Sequence, residues 1–238
     1  MSTDDQLFSP DDPVYRYRVT LDHGWLRNHF VDRAEAIPLD AEFAVLGREK
    51  TSHRGIGQRR RLRTLVAGAV NQDFLDEICE LKELHHLELG WPVTATDLSG
   101  LRQLQHLAVL KIDSPRNITD FTPILDLPAL RSLFIENAKH LASLDWLVPL
   151  KGRLRSLGIE GSIWTVKALP SLKPLAGFGF EALFLTSVRL KDKDLTPLAD
   201  CPNLKLLACA RFAPKANFEA LKALRPDIQC TWFEKYEI

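Results

Sequence analysis

The sequence is short of several things, and each absence removes a class of function. It carries no net charge, with 31 basic and 31 acidic residues. Whole-molecule attraction to nucleic acid or to an anionic membrane is therefore not indicated, and only a local patch could supply it. No run approaches the roughly 18 apolar residues that a membrane span needs. The opening Met1-Ser2-Thr3-Asp4-Asp5-Gln6 is acidic and polar, where a secretory signal would be basic and then apolar. A cytoplasmic location is the expectation. The four cysteines, Cys79, Cys201, Cys209 and Cys230, form no C-x-x-C pair, so neither a zinc site nor a disulfide framework is expected, and no cofactor. No serine sits in a nucleophile-elbow sequence and no cysteine has a convincing histidine partner. His85 and His86 are adjacent on an alternating stretch, point to opposite faces, and cannot share a metal. The chain is not expected to be an enzyme.

What is present is a recurring phrase. Leu130-Arg131-Ser132-Leu133-Phe134-Ile135-Glu136-Asn137 alternates, with Leu133 and Ile135 on one face, and predicts a short strand with one buried and one open face. The same phrase begins at residues 84, 107, 154, 180 and 204, with a weaker copy at 62, so the steps are 22, 23, 23, 24, 26 and 24. A period of this size carrying this phrase is the leucine-rich repeat signature. Between strands, Phe74 to Leu81 predicts a helix burying Phe74, Ile78 and Leu81. Elsewhere a Ser, Thr or Asp (Thr96, Thr119, Ser143, Asp194) is placed to cap a turn, and Pro123, Pro149, Pro174 and Pro197 follow closely. Short helical turns are expected there rather than long helices.

Asp194-Leu195-Thr196-Pro197-Leu198-Ala199-Asp200-Cys201-Pro202-Asn203-Leu204-Lys205-Leu206-Leu207 resembles the bacterial, internalin-like leucine-rich repeat, as does Ile118 to Ile124. The match covers residues 62–232. The resemblance implies an α/β solenoid, a parallel sheet lining its concave side, and a role in binding other proteins. One departure is plain: where the family stacks Asn or Cys after the strand, this sequence has Pro92, Pro115, Ala138, Ser162, Val188 and Phe212. Something else must support those turns.

Outside the array, residues 1–13 hold four aspartates and two prolines and read as a disordered tail. Residues 14–61 do not match the repeat and are expected to cap the open end of the solenoid, with the array running over 62–238. Within the cap, Val14 to Val19 alternates like a strand, Asp22 to Trp25 reads as a turn, and Leu26 to Ala36 as a short helix. Ile228, Cys230 and Trp232 alternate as a closing strand. Seven basic residues lie between Arg48 and Arg63, against one acid. Without interleaved aromatic residues to stack on bases they read as a solvated loop.

Repeats align equivalent positions at about 4.8 Å, so the outward columns of the concave face follow from the register. One holds Phe134 and Phe184 on either side of Gly158, which would leave a gap for a partner side chain. Exposed aromatic residues of this kind mark binding hot spots. The next column holds Asp113, Glu136 and Glu160, with Trp91 at its flank. Carboxylates about 5 Å apart repel by about 3 kcal/mol near a protein surface, so the run calls for splaying into water or for a cationic partner. The expected function is non-catalytic binding of a protein with a basic surface through Trp91, Asp113, Phe134, Glu136, Glu160 and Phe184. A bacterial immunity or adaptor protein is one such reading. The alternatives are an enzyme built on Asp22, His23 and His29, or an anion- or nucleic-acid-binding surface at Arg59, Arg60 and Arg61.

Overall fold

The computed structural model describes residues 6–236. They fold as two compact units, the first residues 6–130 with 138–140, the second residues 131–137 with 141–236. The fold is a leucine-rich repeat solenoid of parallel strands, each unit carrying its own run of them. No described helix is long and apolar enough to cross a membrane.

In the first unit five strands follow in sequence order: β1 (Phe30–Val31), β2 (Phe43–Gly47), β3 (Thr64–Gly68), β4 (His86–Gly90) and β5 (Val109–Asp113). The register pairs Leu65 with Leu87 and Leu87 with Leu110. One face therefore stacks Leu65, Leu87 and Leu110 into a buried ladder, with Ala67, Leu89 and Ile112 as the next rung. Each strand is answered by a return segment. Helix α3 (Gln72–Ile78) buries Phe74, Leu75 and Ile78, its first turn capped by Asn71 accepting from the Phe74 amide at 3.0 Å. Later returns are 3-10 turns at Ser99–Gln103 and Thr122–Asp126. Asp97 and Asp120, rather than the threonines before them, accept the amides of Ser99 and Thr122, each at 2.8 Å.

The N-terminal region departs from expectation. Val14 to Val19 is not a strand: helix α1 spans Pro13–Arg18, with the Asp12 carboxylate accepting from the Val14 amide at 2.8 Å. Asp-Pro is a helix-start signal, and here it outweighs a short alternation. Helix α2 (His23–Asn28) begins at Asp22, where only a turn was expected. Residues 6–13, read as disordered, are placed: Leu7 bridges Leu21 and Phe8 sets its ring edge-on to Tyr15. Residues 1–5 of that tail lie outside the described residues.

The second unit carries β6 (Ser132–Glu136), β7 (Ser156–Glu160), β9 (Ala182–Leu185) and β11 (Leu206–Cys209), again in sequence order. A separate parallel pair, β8 (Lys167–Leu169) and β10 (Val188–Leu190), lies outside this sheet. The returns are 3-10 turns at Asp145–Leu150, Lys173–Leu175 and Thr196–Asp200, each containing the proline that the sequence marks. Helix α4 (Lys215–Leu224) buries Phe218 and Leu221. The closing strand shrinks to one bridge. Gln229 exchanges backbone hydrogen bonds with Lys205 and Leu207, and Thr231–Phe233 then turns as a 3-10 helix.

Three of the six turns that lack an Asn or Cys ladder, those before Pro115, Ala138 and Val188, share another device with the turn of the weaker first copy. Ala69, Ser114, Asn137 and Ser187, each seven residues after its phrase begins, take φ between 51° and 54°. Left-handed backbone redirects the chain without a ladder, at a steric cost for any residue with a Cβ.

Candidate binding surface

In the second unit the aromatic column forms, but it is closed. Phe134 and Phe184 lie with ring centroids 5.5 Å apart, and only 4% and 1% of their surfaces are exposed. The expected gap at Gly158 does not exist, because Phe134 fills it. A Cβ on Gly158 would stand 2.4 Å from Phe134 Cδ1. Ser132, Ser156 and Ala182, which share this outward face, are also buried. The Ser156 hydroxyl donates to Ser132 Oγ at 2.8 Å. Strands β6, β7 and β9 thus have two buried faces, not one. Period-2 alternation assigns residues to a face and says nothing of what that face meets.

The acidic column divides in the same way. Glu160 is buried and accepts from the Thr186 hydroxyl, so it is not a solvated carboxylate. Glu136 is half-buried. Asp113, in the first unit, is half-buried and accepts from Ser114 Oγ at 2.8 Å. Lys111, two residues before Asp113 on β5, is engaged in an ion pair. Its ammonium lies 2.8 Å from the Glu88 carboxylate and donates to the Val19 carbonyl at 2.8 Å. His86 is buried beside them, its Nε2 also 2.8 Å from Glu88. Burial raises the Glu88 carboxyl, but Lys111 and His86 together outweigh it and take its pKa down to about 2. Burial holds His86 below its ordinary range, so its ring is neutral near pH 7. This cluster fastens the residues after α1 to the sheet.

Trp91 differs from the other sequence candidates, with 62% of its surface exposed. It follows β4 directly, and the register sets Gly90 of that strand beside Gly68, and Gly68 beside Gly47. Three side-chain-free positions in one row leave a flat strip of half-exposed backbone that ends next to Trp91 in the chain. Asp113 ends the neighbouring strand.

The alternatives at the N-terminus meet structural roles instead. Asp22 caps α2, accepting from the Trp25 amide at 2.9 Å. His29 hydrogen-bonds the Trp25 carbonyl at 2.8 Å and stacks on its ring. Arg59 is not solvated: it is buried and donates to the carbonyls of Glu35, Ile37 and Gly55. Among the described residues no three His, Cys, Asp or Glu side chains gather as a metal would require.

Sequence reasoning missed the most exposed large apolar residues among those described. In the loop between β7 and β8, Ile163 and Trp164 are 86% and 87% exposed, and Val166 is mostly exposed. The loop is ordered by its own polar atoms. Ser162 Oγ accepts the amides of Trp164 and Thr165 at 3.1 and 3.0 Å, and Thr165 Oγ1 reaches Asn137 at 2.5 Å. A Cβ at Gly161 would lie 2.3 Å from the carbonyls of both Thr165 and Ser187, so only glycine closes its base. The signal was available: the step from residue 154 to 180 is the longest in the array.

Neither a protein-family model nor a curated protein matches the sequence. Among solved structures, an internalin (inlF) from Listeria monocytogenes aligns with a TM-score of 0.52 at 19% identity, over 77% of this chain and 53% of its own. The chain thus spans about half the length of that internalin. Internalin C2 of the same organism aligns at 0.45 and 19% identity, over 90% of this chain and 92% of its own. A leucine-rich repeat protein of Leptospira interrogans aligns at 0.40 and 18%, over 66% and 50%. Likeness to inlF at such an identity speaks to fold alone: the chain shares that internalin's leucine-rich repeat fold.

Proposed function

We propose that this chain is a non-catalytic protein-binding module, and that it meets its partner on the first unit, where the exposed Trp91 directly follows the glycine row and Asp113 ends the neighbouring strand. The single observation that carries this reading is the exposure of Trp91 next to backbone stripped of side chains. An indole there can be covered completely by a partner chain, and tryptophan is among the residues enriched at interface hot spots. Asp113 suits a partner that presents Lys or Arg. Phe134, Phe184 and Glu160 then support the sheet without touching the partner. The four cysteines are unpaired thiols, which suits the reducing interior of a bacterial cell.

The test is quantitative affinity purification from the source cell with wild type and Trp91→Ala, followed by titration of the recovered partner. Loss of Trp91 should weaken binding by about 2 kcal/mol or more, and Asp113→Asn should weaken it less. Equal capture and equal affinity with Trp91→Ala would remove this surface from the reading.

A further inference from the structure

We infer that the Ser162–Val166 loop is a second docking element, which inserts Ile163, Trp164 and Val166 into the headgroup region of an anionic membrane. This rests on the second unit alone and does not depend on the Trp91 surface.

Three observations converge. The first is exposure without disorder. Ile163 and Trp164 are 86% and 87% exposed on a loop that Ser162, Thr165 and Asn137 hold in shape. A large apolar tip maintained in water is the informative exception on a protein surface. The second is charge. From Gly161 to Phe180 the sequence has two lysines and no acid, and from Ala182 to Lys191 it has Arg189 and Lys191 and no acid. Lys167 follows the tip directly at the start of β8, which pairs with the Val188–Leu190 strand carrying Arg189. Arg189 and Lys191 are exposed. Of the acids nearest in sequence, Glu160 is buried, Glu181 pairs with Arg155 and Lys205, and Asp192 is exposed beyond Lys191. An apolar tip with tryptophan at its centre, followed by Lys167, Arg189 and Lys191 on or just after its two strands, complements an anionic bilayer surface, whose interface favours the indole ring and whose lipids attract Lys and Arg.

The third is size. A tryptophan buries about 150–250 Å², and a specific protein interface needs about 800 Å² from each partner. Three side chains on one loop fall short of a stable contact with a second copy of the chain. A convex tip also needs a matching pocket in a protein partner, whereas lipid adapts to its shape. A chain with no net charge can still bind an anionic surface through such a local patch, with an affinity that falls as salt screens it.

The intact chain should be mixed with phosphatidylcholine vesicles and with vesicles in which about a third of the lipid is phosphatidylserine, then sedimented. Binding to the anionic vesicles should exceed binding to the neutral ones by roughly tenfold or more, and should weaken with added salt. Ile163→Ser/Trp164→Ser, and separately Arg189→Glu/Lys191→Glu, should each lose most of it. All four side chains are solvent-facing, so unfolding midpoints should match wild type and folding failure cannot mimic the loss. No retention on anionic vesicles, or retention that the tip variant leaves unchanged, overturns the proposal. Concentration-dependent dimerisation abolished by the tip variant would assign the loop to a second copy. A monomer that ignores vesicles would leave it to a protein pocket; either result rejects the membrane.

Discussion

Phe134 lies in the space that a side chain at position 158 would need, and Phe184 closes the other side. Gly158→Ala is therefore expected to destabilise the protein by about 1–3 kcal/mol, because its Cβ cannot coexist with the ring where it stands. Combining it with Phe134→Leu should cost less than the sum of the two single changes, as contacting residues do not add. Urea denaturation of the four proteins measures this, and strict additivity would refute the packing account. The same residues show where sequence reading stops. Leu133 and Ile135 were legible as core, because inward positions repeat the same residue type in every copy. Phe134 was legible as outward but not as buried. Its accessibility is decided by a missing side chain one strand away and a ring two strands away, neither of which its own alternation records.

At the scale of elements, one link between the sheet and the N-terminal region runs through Lys111, which joins Glu88 on β4 to the Val19 carbonyl beyond α1. The folded protein holds the Glu88 carboxyl at about 2, below its ordinary 4.5. Its contribution is complete above about 4.5 and is lost as the pH falls towards 2. His86 is likewise held below its ordinary 6.5, so protonating its ring opposes folding, and stability drains as the pH drops below that value. Melting temperature should be level above about pH 7, decline below 6.5, and decline more steeply below 4.5. Lys111→Met should cost about 2 kcal/mol or more by stranding the carboxylate, shift the Glu88 transition out of its window, and open the chain around α1 to proteolysis. An unchanged cleavage pattern would argue against the clasp. None of this was readable beforehand. The contact joins residues 92 positions apart, and α1 itself hid behind the alternation of Tyr15, Tyr17 and Val19. The repeat array was readable because its contacts recur at a fixed step, whereas the cap uses each contact once.

For the molecule as a whole, the strands of each unit succeed one another in sequence and pair in parallel only with their neighbours. That arrangement has a mechanical consequence. A force applied to the last strand of such a ladder does not load all its rungs together; it peels one strand away, then the next. Each release frees one repeat of 22 to 26 residues, or roughly 70–95 Å of slack at the reach of an extended chain. Stretched between a bead and a surface, the protein should therefore lengthen as a staircase with that tread, and a single rip of the full contour would show that the repeats yield together.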